Sequence, residues 1–243
     1  MNHVFHAMGT AVSLAGDVTA AAADEVAAAF EALEERFSLY REWSEASQVA
    51  RGELDLGEAS PEFRATHELA VSWQQQTSGA FTARRPDGTV DLNGVVKALA
   101  IRRAGDILDA DGSEHWCVNA GGDILTRTGP GREPWTAGIV DPFDRAQLLT
   151  QFGLGESLPA IATSGTAERG EHVWRTPGSA KGDPFVQVSV AAPDIITADV
   201  LATAILSGGA WTLQLATSTW PVEVITVSQS GALRATAAFH RAA

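Results

Sequence analysis

The sequence predicts an α+β fold, a single domain over residues 1–243 in which a mostly antiparallel sheet is packed by a few helices. Three observations predict it. Apolar residues recur at helical spacing in the first half of the chain and in alternating, strand-like runs in the second. Helices early and strands late are the order expected of an α+β architecture rather than of alternating βα units. No linker-like stretch divides the chain, and no internal repeat marks a solenoid or propeller.

Residues 3–15 alternate loosely and break at Gly9, which predicts two short strands or one bent strand. Across residues 19–37, Val26, Phe30, Leu33 and Phe37 are spaced by four, three and four, an amphipathic helix. Ser60-Pro61 supplies an N-cap and a first-turn proline, opening a second helix towards Gln76 with Gly79 at or just past its end. Pro86-Asp87-Gly88 marks a turn within the polar residues 83–90. A third helix is expected from Gly94 to about Leu108, with Val96, Leu99, Ala100, Arg103 and Ile107 on one side. Strands are expected over 115–119, 123–128, 135–140, 147–153, 158–163 and 185–191. A helix from 197 interrupts them, and strands over 222–228 and 231–238 close the chain.

Composition narrows the function. A net charge of −13, with no cluster of Lys and Arg, excludes a nucleic-acid binder that neutralises a phosphate backbone. An acidic protein holds a phosphate ligand through metal ions, helix N-termini or backbone amides instead. The one cysteine, Cys117, lies in the apolar run His115-Trp116-Cys117-Val118, forms no internal disulfide, and reads as a small buried strand residue. The N-terminal Met1-Asn2-His3-Val4-Phe5-His6 has no secretory signal pattern, and no apolar run reads as long enough to span a bilayer. The expectation is a cytoplasmic protein with no transmembrane segment.

Dinucleotide, Walker and nucleophile-elbow signatures are missing, as is zinc-ligand spacing. The most informative stretch is Thr197-Ala198-Asp199-Val200-Leu201-Ala202-Thr203. On a helix it stacks Asp199 above Thr203, and two hard oxygens side by side suit a magnesium ion. Equally, Asp199 serves there only as a complement to the helix dipole, with Thr203 as filler. Other small polar segments lie between the regular elements. They are Ala7-Met8-Gly9-Thr10, Phe37-Ser38-Leu39-Tyr40 with Ser44 and Ser47 following, and Thr77-Ser78-Gly79-Ala80-Phe81-Thr82. Further along come Asp91-Leu92-Asn93-Gly94-Val95-Val96-Lys97, Val118-Asn119-Ala120-Gly121-Gly122-Asp123, and Ala162-Thr163-Ser164-Gly165 with His172 downstream. Each alone also reads as a turn, cap or core segment.

Taken in order, these segments resemble the FAD:protein FMN transferase (ApbE) family along nearly the whole chain. The family's pattern runs Met-Gly-Thr, Phe-Ser-x-Tyr/Phe, Gly-Ala-Phe-Asp, Asp-Leu-Gly-Gly-Ile-Ala-Lys-Gly, Val-Asn-x-Gly-Gly-Asp, Ala-Thr-Ser-Gly and Thr-Ala-Asp-Ala-Leu-Ala-Thr. The resemblance implies an ApbE-like, T-fold-related architecture. It implies FAD contacts at Met8, Tyr40, Ala80, Phe81, Thr82, Asp91 and Lys97. It implies magnesium ligands at Asp199 and Thr203, joined by a backbone carbonyl near Gly94, and it puts His172 at a position tied to activity. The implied reaction is magnesium-dependent transfer of FMN from FAD to a Thr or Ser hydroxyl of an acceptor flavoprotein, with AMP released. An FAD pyrophosphatase and a non-catalytic FAD-binding protein stand as alternatives. The chain departs from the pattern at Thr82, where the family carries Asp, and at Asn93-Gly94, where it carries Gly-Gly. Only residues 83–90 separate Thr82 from Asp91, where the family has a long segment, and His172-Val173-Trp174-Arg175-Thr176-Pro177-Gly178 lacks the family's aspartate.

Overall fold

A computed structural model describes residues 2–166 and 183–240. The chain opens with a hairpin of β1 (His3–Ala7) and β2 (Thr10–Gly16), and then lays down α1 (Ala20–Phe37), α2 (Glu45–Ala50), α3 (Pro61–Gln76) and α4 (Asn93–Ala110). The strands β3 (Trp116–Ala120), β4 (Asp123–Arg127), β5 (Trp135–Val140), β6 (Leu148–Leu154), β7 (Ala160–Gly165) and β8 (Phe185–Ala192) follow. The long α5 (Ile195–Thr219), β9 (Glu223–Ser228), β10 (Leu233–Ala235) and the single turn α6 (Ala237–His240) complete it. Among the described residues eight strands form one sheet in the order β1-β2-β3-β4-β7-β8-β9-β10, with every pairing antiparallel, while β5 and β6 pair apart from it.

Side chains alternate across this sheet, so each strand feeds two cores. Ala160, Ala162, Val188, Val190 and Ala192 face the helices and join Val26, Phe30, Ile101, Leu201 and Ile205 in the larger one. Ile161, Ala191 and Ile225 face the other way, where Ala137, Ile139, Phe152 and Leu154 of the β5–β6 hairpin and Phe239 of α6 cover them. The helical layer is sewn together by aromatic pairs. Phe5 meets Phe30 edge-on at 5.5 Å, Phe37 stacks on Phe63 at 5.3 Å, and Trp73 of α3 lies 5.8 Å from Trp220 at the end of α5.

Local chemistry sets the element boundaries. Thr19 caps α1 by accepting the Ala22 amide, and the expected stripe of Val26, Phe30, Leu33 and Phe37 is buried. Ser60 caps α3 with Pro61 in its first turn. Elsewhere the structure corrects the reading. The residues around Ser44 and Ser47 form a short helix, α2, which Ser44 caps. The helix expected from 197 starts at Ile195, because Asp194 accepts both the Thr197 amide (2.9 Å) and its hydroxyl (2.6 Å). The strand expected over 231–238 stops at Ala235, where the Glu223 carboxylate takes the Thr236 hydroxyl and the Ala238 amide and starts α6 instead. On α4 the buried face is Val95, Val96, Ala98, Ala100, Ile101, Ala104 and Leu108, not the stripe through Arg103 and Ile107; the helix is wedged between α1 and α5 and buries more than one side.

Against the expectation that no run could span a bilayer, α5 is long and apolar enough by composition, with a mean hydropathy of 1.4 over its window. In this fold 72% of that window is buried inside the protein, which makes α5 the central core helix. Its threonines, serine and glycines interrupt the apolar run in the sequence. At Gly209 the helix leaves helical geometry at φ +71, a conformation that glycine adopts without strain.

Cys117 lies on β3, and burial pushes its thiol up to about 12. With the ordinary thiol near 8.5, the thiolate fraction at pH 8 falls by roughly a thousandfold. Alkylation by iodoacetamide at pH 8 is therefore expected to be slower than for free cysteine by about that factor, and to recover in denaturant; a native rate matching free cysteine refutes the assignment.

Candidate active site

A cavity of about 400 Å³ opens where the ends of several elements meet: the β1–β2 turn, the loop after α3, the first turns of α4 and the second and third turns of α5. Its size lies within the roughly 300–1,000 Å³ usual for ligand sites. Met8, Tyr40, Ala80, Phe81, Thr82, Asp91, Gly94, Lys97, Asp199 and Thr203 all line it. These are the site residues expected from the sequence apart from His172, which lies outside the described residues.

Each is held in place by local structure. Met8 sits at φ +51 in a two-residue turn with Gly9 at φ +71, and Glu34 accepts its amide at 2.8 Å. The Ser44 and Ser47 hydroxyls both donate to the Ser38 carbonyl, folding the loop that carries Tyr40, whose side chain stands 80% exposed at the rim. The serines thus shape the rim rather than line the cavity. Thr77 pins the next loop by donating to Trp73 O (2.7 Å) and accepting the Phe81 amide (3.1 Å). Phe81 then lies against the start of α4, where a Cβ on Gly94 would sit 2.8 Å from its ring. Glycine at 94 is what lets the ring close over the helix.

The electrostatic centre is a buried trio. Lys97 of α4 forms an ion pair with Asp123 Oδ2 at the start of β4, and its Nζ lies 3.9 Å from Asp199 Oδ2 on α5. The side chains are 11%, 1% and 7% exposed respectively. Asp123 also accepts the Thr163 amide of β7 at 3.0 Å. Nearby, the Thr203 and Ser164 hydroxyls are 3.0 Å apart. At the mouth Arg85 Nε donates to Asp91 Oδ2 (2.7 Å), a bond that raises the Arg85 pKa and keeps it charged. Asp91 Oδ1 takes the Asn93 amide at 3.0 Å. The eight residues 83–90 form a tight hairpin with an Arg84–Val90 bridge, which brings Arg84 and Arg85 to the cavity.

Among the described residues no group of three or more His, Cys, Asp or Glu side chains gathers as a metal cage. What the cavity offers a cation is one carboxylate (Asp199) and one hydroxyl (Thr203), both hard donors, with Gly94, whose neighbourhood the resemblance assigns a ligating carbonyl, also in its lining. That set fits a small oxygen-seeking cation that takes its remaining ligands from water or phosphate, not zinc. Sequence reasoning quoted Asp123 in its segment without giving it a role, and did not single out Arg84, Arg85 or Ser207, which also lines the cavity. The signal for Asp123 was its place directly after the Gly121-Gly122 turn.

With this geometry in view, comparisons with known proteins agree on one family. The model of the ApbE family matches residues 82–226. No curated protein matches the sequence. Among solved structures, the ApbE protein from Thermotoga maritima is 20% identical with a TM-score of 0.80, covering 100% of this chain and 98% of its own. The flavin transferase ApbE from Vibrio cholerae is 20% identical with a TM-score of 0.76, covering 100% and 99%. The apo flavinyl transferase ApbE from Pseudomonas stutzeri is 20% identical with a TM-score of 0.79, covering 100% and 96%. These structures share the α+β fold described above.

The trio makes a prediction about stability. Lys97→Met leaves Asp123 and Asp199 buried together without their cation and is expected to cost about 3–5 kcal/mol. Asp199→Asn keeps the Lys97–Asp123 pair and is expected to leave the urea midpoint close to that of the parent. Equal midpoints for both variants would show that the trio carries no such weight.

Proposed function

The chain belongs to the ApbE family, and from that premise we propose that it transfers FMN from FAD to a serine or threonine hydroxyl of an acceptor protein. The reaction is magnesium-dependent and releases AMP. The observation that carries this reading is the convergence of five separated segments, at Met8, Tyr40, 80–82, 91–97 and 199–203, on one cavity. The Vibrio cholerae and Pseudomonas stutzeri neighbours are named flavin and flavinyl transferases, which supports the same activity.

In this reaction the acceptor oxygen attacks the FMN-side phosphorus of FAD, a new P–O–C link forms, the bond to the AMP phosphate breaks, and AMP leaves with the bridging oxygen. Negative charge on the phosphate oxygens must be offset as that bond breaks. Asp199, Thr203 and backbone oxygen near Gly94 are the residues that would hold magnesium, which supplies Lewis-acid neutralisation of those oxygens. Lys97, with Arg84 and Arg85 at the mouth, brings fixed positive charge to the same place. Phe81, Met8 and Tyr40 offer apolar surface to the isoalloxazine ring. The acceptor's proton goes to a base, a role suited to an imidazole such as that of His172.

The short hairpin at 83–90 favours one rival, hydrolysis of FAD to FMN and AMP, because a less covered site admits water. Incubation with FAD, Mg²⁺ and a threonine-containing acceptor peptide separates the readings. Transfer predicts an FMN mass increment on the peptide with AMP in equal amount, lost on chelation of magnesium. FMN and AMP without peptide labelling would replace transfer by hydrolysis, and bound FAD that stays intact would leave a binding protein. Asp199→Ala is expected to abolish Mg²⁺-dependent turnover with an unchanged far-UV spectrum. His172→Ala is expected to lower kcat by about 10²–10⁴-fold while FAD affinity is kept; matching losses in both would assign it to substrate positioning.

A further inference from the structure

Among the described residues, strand β7 is paired along its whole length on one side only. Towards β8 the register runs unbroken from Ala160↔Ala192 to Gly165↔Gln187, but towards β4 only Ala160↔Leu125 and Ile161↔Ile124 are matched. The ladder ends because both backbones turn to side chains. The Thr163 amide goes to the Asp123 carboxylate at 3.0 Å, and the Gly122 amide, its partner in register, goes to Asn119 Oδ1 at 2.9 Å. Backbone groups alternate along a strand, so the Thr163 carbonyl and both backbone groups of Gly165 point to this same side, beyond the last β4 pair. Residues 163–165 are only half-buried. An open edge of this kind is a template for an added strand.

Two cavities meet at this edge. The large one lies on the helix face, where Ser164 reaches Thr203. A second, of about 80 Å³, lies on the hairpin face and shares Gly121, Thr163 and Gly165 with the first. Its far wall includes Ile139, Val140, Pro142 and Val186 together with the polar Asp141, Arg145 and Gln187, a mixed lining. Because side chains alternate across a strand, a polypeptide lying along the edge sends one residue into the active cavity and its neighbours to the opposite face.

We infer that the acceptor polypeptide docks as an antiparallel strand on the Thr163–Gly165 edge of β7, with its hydroxyl residue in the active cavity and an adjacent side chain towards the second cavity. This rests on the transferase reading above and names the partner surface for it. The strand takes the place β4 vacates, in the direction β4 already runs. Facing residues of an antiparallel pair have side chains on one face, and Thr163 and Ile161 direct theirs to the hairpin side. The acceptor residues that bond β7 are therefore those flanking the hydroxyl residue, not the hydroxyl residue itself.

The test uses the full chain with FAD, Mg²⁺ and a peptide library holding one threonine with varied neighbours, FMN adducts being located by mass spectrometry and FAD affinity measured by flavin fluorescence. In a labelled peptide, N-methylation of the flanking amide is expected to slow transfer about tenfold or more, and N-methylation of the threonine amide much less. Val186→Phe, which fills the second cavity, is expected to slow labelling by at least about tenfold with FAD affinity kept. Equal effects of the two N-methyl groups overturn the docking edge; the peptide comparison uses the parent protein and decides the matter even if Val186→Phe does not fold. Bound FAD with no labelled peptide overturns the transferase reading and the edge together, whereas labelling with equal effects of the two N-methyl groups overturns the edge alone.

Discussion

The buried ion pair of Lys97 and Asp123 is the constraint from which the rest of the site follows. Each charge taken from water into the interior costs several kcal/mol, so the pair persists only with close geometry and further hydrogen bonds. Asp123 meets that requirement by accepting the Thr163 amide as well as facing the ammonium. One carboxylate thereby fixes three elements: α4 through Lys97, β7 through Thr163, and the start of β4 through its own backbone. It also fixes register. Slipping β4 by one residue would turn Asp123 to the other face of the sheet, into the apolar cluster of Ile139, Phe152 and Ile161. The same carboxylate ends the β4–β7 ladder, because it takes an amide that a backbone carbonyl would otherwise hold.

The cavity is built from element ends rather than from element middles. Regular helices and strands satisfy their own backbone groups and pack their faces, so chemistry collects where they stop. Met8 in the left-handed region and Phe81 closed over Gly94 are local arrangements that no regular element would contain. They persist because Glu34, Thr77 and the core beneath them over-determine the backbone. Asp199 and Thr203 are different: they ride on α5, the most buried helix, and their spacing is as rigid as the helix itself. The oxygens proposed to hold a cation thus stand on the stiffest element, while the groups proposed to face the flavin stand largely on loops.

This division explains what could be read from the sequence. The apolar spacing of α1 and the Ser60-Pro61 start of α3 are local signals, and both match the structure closely. The order of the short polar segments carried the family, and every described site residue named from it lines one cavity. Long-range pairings had no local trace. The partner of Lys97 lies 26 positions away in sequence on a different element, and α4 buries residues on several sides because α1 and α5 clasp it, a fact that a one-helix stripe does not encode. The short β10 is the same lesson in reverse: an alternating run reads as a strand, yet the Glu223 carboxylate captures its continuation. Cys117 lies on β3 as its apolar run implied, but as a half-buried residue rather than a buried one, because exposure depends on what packs over the strand and not on the local run.

An open strand edge beside a reactive cavity is a hazard, since exposed backbone groups invite pairing with any extended chain. Proteins blunt such edges when they have no use for them. Here the exposed stretch is only three residues long, bounded by the Asp123 carboxylate at one end and flanked by glycines at the β3–β4 turn. Shortness limits what adheres: three residues of ladder hold an incoming strand weakly unless its side chains also fit the pockets on either face. That makes the edge selective in a way that a long edge is not. It also addresses the competition between water and a protein hydroxyl. Water is present at high concentration and needs no alignment, so a transferase gains only if the acceptor strand fills the gap between the two cavities and excludes solvent as it arrives. The interruption of the β4–β7 ladder by one charged side chain would then serve both substrates at once, holding positive charge near the phosphates on the helix side and leaving backbone free for the acceptor on the strand side.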